Sequence, residues 1–169
     1  FLHVIDEHNA DALFADALAA LVQWQQSSRA EVLPPYDEAL LARELALFPD
    51  WYVAKHLQKT FTAEQQAWWD AGCKLLIERA LAQGRVFVHR DYMPRNLMIS
   101  TPNPGVLDFQ DAVFGPISYD VASLFKDAFL SWPTERVEGW RRQYWEAARV
   151  AGLPVPADYA DFVRDFDLM

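Results

Sequence analysis

The feature that most constrains this chain is a polar loop enclosed by two apolar runs, at residues 86–99. The runs Val86–Val88 and Leu97–Ile99 are short and apolar, which is typical of buried strands. Pro94 lies in the loop between them, and its ring and missing N–H exclude a helix through this segment. The sequence therefore predicts two short strands joined by a loop that presents polar side chains at a defined place.

Three polar side chains stand out in and after this loop. Asp91 and Asn96 lie five positions apart within it. A turn rich in proline and asparagine then leads to a third apolar strand, Val106–Leu107, which ends in Asp108. A β-hairpin between the second and third strands would bring Asn96 and Asp108 to the same edge.

This layout favours phosphoryl transfer. The reaction needs a carboxylate that orients a hydroxyl nucleophile and accepts its proton, and oxygen ligands for the Mg²⁺ that neutralises nucleotide phosphates. Asp91 fits the first requirement, and Asn96 and Asp108 fit the second. A single aspartate in a turn is usually only a turn residue, but the whole set of spacings is far more specific. We therefore predict ATP and Mg²⁺ as cofactors.

The run His89–Asp91, with Asn96 five residues after the aspartate and Leu107–Phe109 further on, resembles the catalytic loop and metal-binding segment of the kinase fold. It resembles more closely the aminoglycoside-phosphotransferase-like family of small-molecule kinases. Within that family, residues 89–98 and 105–124 are similar to the bacterial anomeric N-acetylmuramate/N-acetylglucosamine kinases. The similarity extends to Leu47–Val53.

Several departures from protein kinases indicate a small-molecule acceptor. Met93 stands where protein kinases carry lysine, and Gln110 stands where they carry glycine after Asp-Phe. No Ala-Pro-Glu segment or long activation loop is visible. Arg90 is a protein-kinase-like residue at a position where many small-molecule kinases have glycine, and we expect it to brace the loop.

The resemblance also implies two supporting residues. The aspartate that matches Asp120 holds the backbone of the catalytic loop, which would explain a carboxylate at an otherwise apolar helix start, where burial is costly without hydrogen bonds. An exposed first-turn aspartate near the helix dipole is the alternative. We expect His89 to support the loop from below, because Asp91 already fits the role of base.

Three residues are candidates for the acceptor site, and two of them, Asp111 and Trp51, have an ordinary structural alternative. Asp111 follows Asp108 closely, and it is equally well explained as a solvated turn residue. By analogy with the family, Glu44 lies on the side of the chain that forms the acceptor wall. Trp51 is a candidate for stacking on a sugar, although any single tryptophan in such a lobe is more often part of the core.

Composition excludes several classes of protein. Of the 169 residues, 52% are hydrophobic and 14% aromatic, which is typical of a globular domain. The net charge of −9 argues against a nucleic-acid partner. The single cysteine, Cys73, cannot form an internal disulfide, so we expect a reducing cytoplasm. No membrane span or signal peptide is evident. The oligomeric state is not predicted.

We expect residues 1–169 to form one domain, mostly α-helical with a few short β-strands, equivalent to the C-terminal lobe of the aminoglycoside-phosphotransferase fold. No Gly-rich loop and no Val-Ala-x-Lys strand precede the catalytic loop. In the kinase fold these belong to an N-terminal lobe that covers the nucleotide. We therefore expect that lobe to be absent from this chain, and the isolated chain to be inactive.

Apolar periodicity and cap signals place the helices. Thr62 and Gln65 form a capping-box pattern, Gly84 is a plausible stop, and Pro116 is a plausible first helical residue. The predicted helices are 10–26, 37–47, 48–57, 62–83, 116–130, 135–151 and 158–169.

The expected activity is ATP-dependent phosphoryl transfer to the hydroxyl of a small molecule. The resemblance implies that this is the anomeric hydroxyl of N-acetylmuramate or N-acetylglucosamine, in cell-wall recycling. A kinase for an aminoglycoside, choline or homoserine-type acceptor is the first alternative. A non-catalytic binding module is the second, and it applies best to the chain without its covering lobe.

Overall fold

The computed structural model describes all residues from Phe1 to Met169. It contains six α-helices, which are α1 (Ala10–Gln26), α2 (Glu38–Leu47), α3 (Ala63–Leu81), α4 (Tyr119–Phe125), α5 (Thr134–Val150) and α6 (Tyr159–Leu168). It also contains four short strands, which are β1 (Arg85–Val88), β2 (Leu97–Met98), β3 (Gly105–Val106) and β4 (Val113–Pro116). A π-helical segment, Phe48–His56, follows α2, and one 3₁₀ turn, Pro94–Asn96, precedes β2. The predicted mostly α-helical fold class is confirmed.

The core lies between α1, α5 and the β1–β4 ribbon. Helix α1 has the predicted bounds, and its apolar face is buried along its whole length. Phe14 from this face packs against Phe125 and Trp140, with ring centroids 5.3 Å and 4.5 Å away. The amphipathic pattern of α1 thus determines the centre of the domain.

Side-chain caps set the starts of α2 and α3. The carboxylate of Asp37 accepts a hydrogen bond from the amide of Leu40 at 2.9 Å. Thr62 and Gln65 form the predicted capping box. Helix α2 then continues without a turn into the π-helical segment, where Phe48 is 46% exposed. Phe48 is therefore not part of the buried face of α2.

Strand β1 pairs with β4 in an antiparallel ribbon, with Val88 opposite Val113 and Arg85 opposite Pro116. The prediction of a helix from Pro116 to residue 130 is wrong at both ends, because Pro116 closes β4 and α4 covers only Tyr119–Phe125. A proline is tolerated at the end of a strand, where its missing N–H breaks little of the ladder.

Gly84 does not end a helix by a left-handed turn, because α3 already ends at Leu81. It allows a close approach instead, since a Cβ at this position would lie 2.1 Å from the carbonyl oxygen of Pro154. The glycine therefore serves the packing of the chain before β1 against the segment between α5 and α6.

The last two helices close the domain. In α5, Trp140, Tyr144 and Ala148 recur at helical spacing and are buried, and Asp158 caps α6 through the amide of Ala160 at 2.8 Å. None of the helices is both long and apolar enough to cross a membrane.

Candidate active site

The polar loop joins the two strand pairs of the domain. Strand β1 leads into it, and β2 pairs with β3 as the predicted hairpin, with Leu97 opposite Val106. The Nδ2 of Asn96 donates to the carbonyl oxygen of Asp91 at 2.9 Å and lies 3.5 Å from Oδ2 of Asp108. The three polar residues predicted to act together therefore converge at one edge.

The carboxylate of Asp91 is available for a substrate. It accepts no hydrogen bond from any other group of the chain, whereas the backbone of Asp91 is held at both ends. Its amide donates to Nδ1 of His89 at 3.3 Å, and its carbonyl oxygen accepts from the amide of Met93 at 3.0 Å as well as from Asn96. A fixed backbone with an uncommitted carboxylate is the arrangement that a general base requires.

Asn96 and Asp108 form a set of hard oxygen donors suited to Mg²⁺. The side-chain amide nitrogen of Asn96 points toward Asp91 and Asp108, so its oxygen, Oδ1, accepts no hydrogen bond from the protein. One oxygen of Asp108 accepts from Nε2 of Gln110 at 2.7 Å. No group of three or more His, Cys, Asp or Glu side chains that could hold a metal ion occurs in the chain. Mg²⁺ usually takes one or two protein ligands and completes its shell with water and phosphate oxygens, and Asn96 and Asp108 would supply two such ligands.

Asp120 holds the loop from inside the domain. It is fully buried, and its two carboxylate oxygens accept from the amides of His89 at 2.7 Å and Arg90 at 3.0 Å. Burial raises the pKa of Asp120 to about 7, and the two hydrogen bonds oppose this rise. The alternative of an exposed first-turn aspartate therefore does not apply.

His89 lies under the loop and is 1% exposed. Its Nδ1 accepts from Asp91, and its Nε2 forms no hydrogen bond. Burial lowers the pKa of His89, although the carbonyl of Leu107 and the charges of Asp91 and Asp108 oppose the shift. A neutral imidazole can accept the Asp91 amide, which suits a supporting role.

Glu44 reaches the loop through another side chain. One of its carboxylate oxygens pairs with the guanidinium of Arg90, and the other accepts from the hydroxyl of Tyr36. Sequence reasoning missed Tyr36. It belongs to a short extended segment that runs beside β4, where its amide donates to the carbonyl of Phe114 at 2.9 Å. Such a short segment has no periodicity that could have revealed it.

The side chains of the two other acceptor candidates do not contact the polar loop. The side chain of Asp111 is exposed, and only its carbonyl oxygen touches the loop, 3.4 Å from Nη1 of Arg90. Trp51 is 58% exposed on the π-helical segment, with Nζ of Lys55 3.5 Å from the centre of its ring. The expectation that an individual tryptophan is part of the core is wrong for Trp51.

A cavity of about 420 Å³ lies between α1 and the loop. Its lining is mostly apolar and comprises Ala20, Gln23, Trp24, Ser27, His89, Tyr92, Val106 and Phe109.

Comparison with known proteins identifies the family. Residues 2–161 match the model of the phosphotransferase enzyme family known as APH, and the chain therefore belongs to that family. The predicted resemblance to aminoglycoside-phosphotransferase-like kinases is confirmed.

Individual relatives carry a more specific name. The chain is 59% identical to an N-acetylmuramate/N-acetylglucosamine kinase of Pseudomonas putida over all of its length, which is 50% of that protein. It is 57% identical to the enzyme of the same name from Pseudomonas aeruginosa, again over 100% of this chain and 50% of the relative. For the one from Neisseria meningitidis the identity is 49%, over 94% of this chain and 47% of the relative. The chain thus spans about half the length of the curated relatives it matches.

Solved structures agree on the fold. A gentamicin complex of APH(2")-IIa superposes with a TM-score of 0.60 at 17% identity, covering 89% of this chain and 54% of that one. The ADP-bound aminoglycoside phosphotransferase APH(2'')-Ib gives a TM-score of 0.55 at 16% identity, covering 98% of this chain and 64% of that one. At this identity the likeness concerns the fold alone, and it confirms the predicted aminoglycoside-phosphotransferase architecture.

Proposed function

We propose that this chain is the catalytic lobe of an ATP-dependent kinase that phosphorylates the anomeric hydroxyl of N-acetylmuramate and N-acetylglucosamine. The observation that carries the proposal is the convergence of Asp91, Asn96 and Asp108 at one edge of the domain. The sugar is inferred from the name shared by relatives that are 49% to 59% identical to this chain.

Asp91 is the proposed catalytic base. Its uncommitted carboxylate would accept a hydrogen bond from the anomeric hydroxyl and orient the oxygen toward the γ-phosphorus of ATP. The sugar oxygen forms the new bond to phosphorus, the bond from phosphorus to the bridging oxygen of ADP breaks, and the hydroxyl proton passes to Asp91. The products are a sugar 1-phosphate and ADP.

Asn96 and Asp108 are the proposed ligands of Mg²⁺. The ion would supply positive charge that neutralises the phosphate oxygens during transfer. Asp108 contributes a negative charge and Asn96 a neutral oxygen. The hydrogen bond from Asn96 to the Asp91 carbonyl keeps the base and the metal ligands in one rigid unit.

The proposed acceptor site is a wall formed by Glu44, Asp111 and Trp51. Trp51 exposes an aromatic ring on which the apolar face of a sugar could stack. The Asp111 carboxylate forms no hydrogen bond or ion pair within the chain and is free to accept from a sugar hydroxyl. The oxygens of Glu44 are engaged by Arg90 and Tyr36, so we assign Glu44 an indirect part in this wall.

The remaining half of the full-length protein is proposed to cover the nucleotide as an N-terminal lobe. Within this view residues 1–169 form a single domain that supplies the base and the metal ligands but is inactive alone. We place the reaction in the cytoplasm, where ATP is available, and in the recycling of peptidoglycan sugars. A nucleic acid is not among the proposed partners, because the chain carries a net charge of −9.

The proposal is tested with the full-length protein, ATP and Mg²⁺, offering N-acetylmuramate, N-acetylglucosamine, kanamycin and choline as separate acceptors. We expect phosphorus NMR to show a sugar 1-phosphate that is absent with the Asp91→Asn variant. Phosphorylation of kanamycin or choline, with no sugar product, would overturn the assignment of the sugar as substrate but would leave the assignment of the catalytic residues intact. Transfer to none of the acceptors would contradict the proposed activity.

A further inference from the structure

Arg90 adopts a backbone conformation that residues other than glycine seldom hold. Its φ is +76°, and it stands between His89 and the proposed base Asp91. In this left-handed region the Cβ atom crowds the backbone, so the conformation persists only where surrounding groups hold it. On the inner side of the loop, the backbone is held by the two hydrogen bonds from the amides of His89 and Arg90 to the carboxylate of Asp120.

The outer side of the loop is held by the side chain of Arg90. Its guanidinium pairs with Glu44 on α2 and donates through Nη1 to the carbonyl oxygen of Asp111 at 3.4 Å. The Arg90 and Glu44 side chains are only 25% and 26% exposed, so solvent screens this ion pair less than one on the open surface.

Glu44 is itself held in place by Tyr36, whose hydroxyl donates to its second oxygen. Tyr36 is fully buried against β4, where a Cβ on Gly115 would lie 2.6 Å from the Cβ of Tyr36. Burial strongly raises the pKa of Tyr36, which keeps its hydroxyl protonated as a donor. A continuous set of contacts therefore runs from β4 through Tyr36 and Glu44 to Arg90.

Helix α2, which carries Glu44, continues directly into the π-helical segment that carries Trp51. A displacement of that segment by a bound acceptor would move α2 and, through Glu44, the guanidinium of Arg90. The ion pair is the side-chain link between the proposed acceptor wall and the residue that precedes the base.

We propose that Glu44 and Arg90 form a positioning pair that sets the orientation of Asp91 and couples it to the acceptor wall. The proposal rests on the proposed function, since it assigns the pair a part in that reaction. It concerns the chemical step more than nucleotide binding, because a base that is misplaced by about 1 Å can lower the rate roughly 100-fold.

The test uses the full-length protein with Glu44→Ala, Arg90→Met and the double variant. Arg90→Met keeps a long side chain and a Cβ atom, so the backbone preference is unchanged while the charge is lost. Arg90→Lys is the conservative variant, and it should recover part of the activity because the charge remains. Arg136→Gln is the matched control, because the Arg136 side chain is 24% exposed and pairs with Asp11 away from the site.

We expect Glu44→Ala and Arg90→Met each to lower kcat by roughly 10- to 100-fold, with the KM for ATP changed less than about twofold. The double variant should be no slower than the slower single variant, because the two residues act as one unit. The control should lose thermal stability at most. An unchanged kcat in Glu44→Ala, or effects that multiply in the double variant, would overturn the proposal.

Hydrogen exchange separates this inference from the proposed function. The amides of residues 89–91 should exchange faster in Glu44→Ala than in wild type, and at the wild-type rate in Arg136→Gln. This result would support the pair even if no acceptor were phosphorylated. Unchanged exchange at these amides would overturn it whatever the activity.

Discussion

The Nδ2 of Asn96 donates to the carbonyl oxygen of Asp91 at 2.9 Å, which closes the polar loop on itself. The bond limits the distance between the backbone of the proposed base and a proposed metal ligand, across four intervening residues that include Pro94. Because the same nitrogen lies 3.5 Å from Asp108, the amide orientation leaves the oxygen of Asn96 for a cation. One side chain thus organises both functions of the site.

Replacement of the base is the first prediction. Asp91→Asn in the full-length protein should lower kcat on the order of 100- to 10,000-fold, because the amide cannot accept the hydroxyl proton. The KM for ATP should stay near wild type, since Asp91 does not touch the nucleotide in the proposed mechanism. Steady-state kinetics at saturating acceptor measure this effect. If the variant kept most of its activity, the assignment of Asp91 as the base would be wrong.

The proposed metal ligands make a second prediction. Asp108→Asn removes the proposed charged ligand, and Asn96→Ala removes the proposed neutral one. Each should raise the Mg²⁺ concentration for half-maximal activity by roughly 10-fold or more. A titration of activity with Mg²⁺ measures the effect. Arg136→Gln serves as a control that leaves both proposed ligands in place, because Arg136 pairs with Asp11, and equal shifts in all three variants would contradict the assignment.

The buried carboxyl of Asp120 makes the stability of the protein depend on pH. Its pKa is raised to about 7 in the folded protein, against about 3.9 when unfolded. Below about pH 4 both states hold the proton, and between about pH 4 and 7 only the folded state does. The free energy of unfolding should therefore fall as pH rises through this window, by at most about 1.4 kcal/mol per pH unit, and level off above it.

The Asp120→Asn variant provides the reference for this pH dependence, because an amide does not titrate. Its unfolding should be easier than that of wild type, since one hydrogen-bond acceptor is lost. The stability difference between the two proteins should narrow from pH 5 to pH 7. A difference that stayed constant over this range would mean that the two hydrogen bonds outweigh burial and that the pKa of Asp120 is not raised in the folded protein.

Two glycines allow a paired prediction about packing. Gly84→Ala should destabilise the protein by about 1–3 kcal/mol, because the new Cβ would lie 2.1 Å from the carbonyl oxygen of Pro154. Gly72→Ala should stabilise it by about 0.5–1 kcal/mol, because Gly72 lies within α3 and has no neighbour within 4 Å of the new atom. Chemical denaturation of both variants measures the sign of the change in the free energy of unfolding. A Gly84→Ala variant as stable as wild type would show that Pro154 can move away from the new Cβ.

Two exposed tryptophans test the acceptor wall. Trp51 and Trp68 are 58% and 66% exposed. If Trp51 stacks on the sugar, Trp51→Ala should raise the acceptor KM by roughly three- to tenfold, a stacking contribution of about 0.5–1.5 kcal/mol. Trp68→Ala is the control of similar exposure and should leave that KM near wild type. Equal increases of the acceptor KM in both variants would show that the increase comes from a change in folding and not from lost stacking on the sugar.

The residues of the candidate site were recognisable in the sequence because their spacing is local. Asp91 and Asn96 share one loop, and a short hairpin carries Asp108 back to them, so proximity in sequence implies proximity in space. Helix α1 was predicted with its observed bounds for a similar reason, since its apolar residues recur at helical spacing over 17 residues. The kinase family followed from the same local motif.

The elements that were predicted wrongly depend on partners far away in the chain. Strand β4 is four residues long and is defined by its pairing with β1, so the sequence alone does not show that Pro116 ends a strand and does not begin a helix. The role of Gly84 was missed because Pro154, which packs against it, lies 70 residues further on. Contacts of this kind leave no periodic pattern in the sequence.

By itself the sequence determined the helical class of the domain, the loop that carries Asp91 and Asn96, and the family. These follow from backbone geometry and side-chain chemistry over short distances. Only the tertiary structure decided that Asp120 is buried beneath the loop, and that Glu44 faces Arg90 instead of solvent. A carboxylate has the same chemistry in any sequence, but its partners and its pKa depend on which distant elements pack around it.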